Sequence, residues 1–135
     1  MLSATQLVRF VQVAMAASIP LYAAVGELAA RHHAVDSTPF HVLSFVAFSL
    51  VGATIVVRRS LVLPSEAMLH FKANDTLVID RWKTGYILMY AMCEALALLG
   101  LVLRLIGFSL GHVWGFYLGG FVLLLLFTPR APQPR

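Results

Sequence analysis

GYILMYAMCEALALLGLVLRLIG, residues 85–107, is the stretch whose reading decides the fold. It carries two charges only, Glu94 near its middle and Arg104 near one end. A helix needs roughly 17–25 apolar residues to cross a bilayer, and this run is long enough. It lacks the apolar/polar alternation of a half-buried strand, and only helices or closed barrels can span a membrane, so it reads as a transmembrane helix.

Three further apolar runs lie at residues 7–30, 40–57 and 111–127. The expected fold is all-α: a single transmembrane domain, residues 1–135, built as a four-transmembrane-helix bundle. Segment 58–84 is then the one sizeable loop. The proline-rich tail, 128–135, is expected to be disordered. Composition points the same way. The 135 residues are 60% hydrophobic and 12% charged, with mean hydropathy +0.85, against about 25% charged in a soluble domain. The net charge of +4 is no nucleic-acid signal, because the basic residues sit at the ends of apolar runs, where orientation is encoded. The single cysteine, Cys93, excludes an internal disulfide and a CxxC site.

Arg9 and a small-residue pair at Ala24 and Gly26 give the first run some likeness to a cleaved leader, but its length and Pro20 fit a retained helix better. With four spans, Arg9, Arg58, Arg59, Lys72, Arg81, Lys83, Arg130 and Arg135 fall on one side, and Arg31 and Arg104 on the other. That asymmetry places both termini in the cytoplasm. Inside the loop, Pro64-Ser65-Glu66 reads as a helix start. Trp82, between Arg81 and Lys83, reads as an interfacial anchor.

Sliding the third run onto the first by 77 positions matches Ala14 with Ala91, Met15 with Met92 and Val25 with Val102. Sliding the fourth onto the second by 71 matches His41 with His112, Phe45 with Phe116 and Arg59 with Arg130. The chain therefore reads as a possible parallel repeat of two helical hairpins. In that register Glu27 falls on Arg104, and opposite charges at one depth suggest an intramembrane ion pair.

Glu94 is the sharpest signal. A charge at the bilayer centre costs about 2.5–3.5 kcal/mol on insertion scales. A carboxyl there either bonds a neighbouring helix or serves as a proton or ion carrier. Tyr90, one turn earlier, is a candidate partner; Ser18 and Ser49 are the other polar residues at that depth. In the fourth run Gly111, Gly115 and Gly119 form a small-xxx-small stripe, which reads as a face for close packing on another helix, within the chain or in a partner. His41 and His112, near the outer surface, suit paired axial haem or metal ligands, although histidines at helix ends are commonly solvated caps. No nucleophile–base set and no phosphate-binding glycine loop is visible, so no enzyme and no cofactor is expected.

Residues 91–103, A-M-C-E-A-L-A-L-L-G-L-V-L, resemble the ion-carrying helix of the rotary ATPase proteolipid, which implies a carrier role for Glu94. Unlike that family, the chain has no glycine-repeat helix before this segment, and Arg104 follows in the same helix. A wider resemblance covers N-D-x-L-x-x-x-R-W-K-x-G-Y-I from Asn74, C-E-A-x-A-L-x-G-L-V-L-R from Cys93 and P-R-x-P from Pro129. It is to a group of small uncharacterised bacterial four-helix membrane proteins, and implies a location in the bacterial inner membrane. The expected function is a non-enzymatic accessory or interaction subunit. Membrane lipid, and a homo-oligomer or larger membrane complex, are its expected partners, with no role for nucleic acid. The alternative is proton or cation translocation or binding through Glu94.

Overall fold

The computed structural model describes residues 3–31 and 35–130. The first helix, α1 (Ala4–Ala29), opens on a capping box: Ser3 Oγ accepts from the Gln6 amide at 3.2 Å, and the Ser3 amide donates to Gln6 Oε1 at 2.9 Å. The second, α2 (Thr38–Val57), has Pro39 in its first turn, where the missing N–H costs nothing. Asp36 sits just before it and accepts from Thr38 Oγ1 at 2.9 Å. That bond, with a second from the Thr38 amide, holds the Asp36 carboxyl below the usual carboxylate range.

At Val57 the helix does not end. It passes through a π-helical turn, Arg58–Val62, into α3 (Leu63–Leu69). Pro64 explains the widened turn, since it cannot donate to Ser60 and its ring would crowd that carbonyl. The Leu63 amide instead reaches back to the Arg58 carbonyl. After a turn at residues 70–75, α4 (Thr76–Ile106) begins with Asp75 accepting from the Leu77 amide at 3.1 Å. It ends at Gly107, whose φ of 125° suits a residue without a Cβ. The last helix is α5 (Leu110–Leu126).

Among the described residues all regular structure is helical. Three helices, Ala4–Ala29, Thr38–Leu69 and Thr76–Ile106, are long and apolar enough to cross a membrane; α5, with 17 residues, is a shorter apolar helix. At about 1.5 Å per residue the 31 residues of α4 reach well beyond the roughly 30 Å of a hydrocarbon core.

The helix α4 is the centre. It packs against α1, α2 and α5, and α1 packs also on α5. Its buried residues run from Val78 through Trp82, Met89 and Cys93 to Arg104. The contact with α5 is the closest, and glycine makes it possible. A Cβ at Gly120 would lie 2.6 Å from the Cys93 carbonyl oxygen, and one at Gly100 2.9 Å from Phe116 Cβ. The open carbonyls at the end of α5 are filled from other helices. Gln12 Nε2 donates to the Leu124 carbonyl at 2.9 Å and the Tyr90 hydroxyl to that of Phe127 at 2.8 Å.

Several expectations need correction. The third helix starts at Thr76 rather than at residue 85, and segment 58–84 is a helical hairpin rather than a loop. Its two arms are joined by the Tyr86 hydroxyl donating to Glu66 at 2.6 Å, and Gly85 lies against Val62. Trp82 is buried at 1% exposure against the Tyr86 ring, so it is not an interfacial anchor. Within this chain the stripe of Gly111, Gly115 and Gly119 is not where helices approach closely: a Cβ at Gly115 would meet nothing within 4 Å, and one at Gly119 only ordinary contact with Leu96, which leaves the stripe as a face toward a partner. The tight face is one residue further round, at Gly120. In the tail, the Thr128 hydroxyl donates to the Leu125 carbonyl and Pro129 is buried; residues 131–135 lie outside the described residues, as do His32 and His33.

Candidate functional site

Two polar clusters bridge α1 and α4, and the same local geometry builds both. Their contacts join residues 76 and 77 positions apart, so the two helices run side by side in one direction.

The first cluster centres on Glu94. Ser18 Oγ lies 2.8 Å from Glu94 Oε1, and the Tyr22 hydroxyl donates to the same oxygen at 2.5 Å. Ser18 Oγ is also 2.7 Å from the Met15 carbonyl, so its single hydrogen faces two acceptors. Tyr22 reaches Glu94 because helical side chains lean toward the N-terminus, carrying its ring back one turn to the carboxyl's level. The same lean takes Tyr90 away from Glu94. Its hydroxyl binds Phe127, so Tyr90 is not the carboxyl's partner. Ser49, on α2, bonds to its own helix at the Phe45 carbonyl and stands outside the cluster.

Glu94, Ser18 and Tyr22 are all half-buried. Both hydroxyls converge on Oε1, and no hydrogen bond reaches Oε2 from the described residues. The carboxyl lies on a row of α4, Ile87–Ala91–Glu94–Leu98–Val102–Leu105, at the three- and four-residue spacing of one helix face. Every other member of that row is exposed. Apart from Glu94, which α1 reaches through Ser18 and Tyr22, the row is left uncovered by the described helices.

The second cluster is Arg104 with Glu27. Arg104 Nε donates to Glu27 Oε1 at 2.9 Å, one terminal nitrogen to Oε2 at 3.0 Å, and the other to the Phe108 carbonyl at 2.8 Å. The fork-to-fork geometry is the strongest form of such a pair. The Arg104 side chain is 5% exposed and that of Glu27 45%. Gly26 makes room: a Cβ there would stand 3.0 Å from the Tyr117 hydroxyl and 3.2 Å from Arg104 Cγ.

The histidines do local work. His41 Nδ1 lies 2.8 Å from the Ser37 carbonyl and His112 Nδ1 2.6 Å from Ser109 Oγ, each at the start of its helix. Their rings flank Phe40 edge-on. Among the described residues no three His, Cys, Asp or Glu side chains come together as a metal site.

Ser18 could be matched to Glu94 by depth. Tyr22 could not, because its Cα lies a full turn beyond that depth. The signal that finds it is the register of 77 positions combined with the lean of helical side chains. Compared with known protein families, curated proteins and solved structures, the chain matches none.

Proposed function

We propose that the chain is an integral protein of the bacterial inner membrane with four spans and both ends in the cytoplasm. It serves as a non-enzymatic interaction subunit. Support for the membrane setting comes from the three long apolar helices. Support for the orientation comes from Arg9, Arg58, Arg59, Lys72, Arg81, Lys83 and Arg130 at one end of the bundle, with Arg31 and Arg104 at the other. Two hairpins repeated in parallel belong to this reading, and the meeting of Glu27 with Arg104 at the offset of 77 supports it.

The observation that carries the interaction role is the uncovered α4 face with a half-satisfied carboxyl in its middle row. In lipid an open carboxyl oxygen is costly, whereas a second protein can satisfy it. The test is the size of the native assembly. After gentle solubilisation the chain should migrate in a complex, and Ala91→Trp, which blocks the row, should release it. A native chain that migrates alone would count against the role.

A second reading is proton or cation binding at Glu94. The observation favouring it is the convergence of Ser18 and Tyr22 on one carboxyl oxygen, which pre-orients the group at mid-span. Proton flux into liposomes, compared between the native chain and Glu94→Gln, decides it: equal flux, or none in either, removes this reading.

A further inference from the structure

We infer that the uncovered row of α4 receives a helix from a different membrane protein, and that this helix carries an Arg or Lys at mid-span facing Glu94. The inference rests on the interaction reading above and names the chemistry of the partner.

Charge complementarity is the first argument. Of the charged groups in the apolar helices, Glu27 and Arg104, near the ends of α1 and α4, pair with each other. Among the described residues no basic group lies within ion-pair distance of Glu94. Groups of this kind inside a membrane characteristically pair with one another. The second argument is direction. Ser18 and Tyr22 fill Oε1 from the α1 side, while Oε2 takes no bond from the described residues, beside a row of α4 that the described helices leave exposed. The third is room. Ala91 is exposed and Ala95 half-buried next to Glu94, and small residues let a second backbone come close enough for a side chain to reach the carboxyl. A second copy of this chain presenting the same face is a poor occupant, because it would bring another Glu94 to the same place.

The experiment uses the full chain in phosphatidylcholine vesicles with a fluorescent donor. The probes are synthetic Leu/Ala-rich transmembrane helices bearing an acceptor and one central Arg, Gln or Leu. The native chain should bind the Arg helix about tenfold more tightly than the Leu helix, with the Gln helix between them. Glu94→Gln should reduce the Arg helix to the Leu level while the far-UV circular dichroism stays unchanged. Equal binding of the Arg and Leu helices, or undiminished Arg preference in Glu94→Gln, overturns the inference. So does energy transfer between two copies that depends on Glu94. The wider reading fails separately: if Ala91→Trp leaves native assembly size unaltered, the face is no interface at all. If Ala91→Trp releases the assembly while the Arg preference is missing, only the partner's chemistry is wrong.

Discussion

The Arg104–Glu27 pair and the Glu94 cluster join the same two helices, yet they are finished to different degrees. At Arg104 three donor bonds are made, both carboxyl oxygens of Glu27 are used, and the guanidinium is almost wholly enclosed. At Glu94 two hydroxyls converge on one oxygen and the other takes no bond from the described residues. A closed polar cluster holds helices together; a half-closed one is available to something else. The comparison separates a charge that belongs to assembly from a charge that assembly leaves over.

The largest expected effect comes from breaking the closed pair on its exposed side. Glu27→Ala strands a buried guanidinium and should cost about 3 kcal/mol, read from denaturant unfolding in micelles. Arg104→Met leaves behind a half-exposed carboxylate instead and should cost less, about 2 kcal/mol. Equal losses would mean that burial does not set the asymmetry. Next comes Gly26→Ala, which pushes a methyl against Tyr117 and Arg104 and should cost about 1 kcal/mol in the same assay. Glu94→Gln keeps an acceptor for Ser18 and Tyr22, so it should change stability by only about 0.6 kcal/mol or less. A large loss there would move Glu94 into the structural class. The exposed Asp36 gives the smallest effect. Its carboxyl is held below the ordinary range, chiefly by the Thr38 side chain, so its contribution is present above that range and disappears as the pH falls through the folded value. Circular dichroism across acid pH should lose a little of the α2 start, and Asp36→Asn should flatten that change.

Much of this contrast was legible in the chain itself. Four apolar runs define four helices, and the register of 77 positions brings Glu27 to Arg104, which is the separation at which they meet. Less legible was the extension of α4 back to Thr76. Residues 76–84 carry Asp80, Arg81 and Lys83 and look like a loop by hydropathy. They form helix because one face, Val78 and Trp82, is buried, while Asp80 and Lys83 pair outward at 2.7 Å. Spacing alone also misplaces Tyr90. Sequence distance along one helix says that two residues are near; it does not say which neighbour either turns toward. Gly120 decides the α5 contact because it meets a backbone carbonyl, something no count of small residues contains.

The parallel course of α1 and α4 also has a consequence in time. Helices that run the same way cannot be joined by a tight turn, so their partners are far apart in the order of synthesis. Ser18 precedes Glu94 by 76 residues and Glu27 precedes Arg104 by 77. At about 5–20 residues per second, roughly 4–15 seconds separate the making of each acid–hydroxyl or acid–base pair's two halves. Throughout that interval α1 exists without α4, and the ribosome, not the bundle, sets the pace at which the two helices meet.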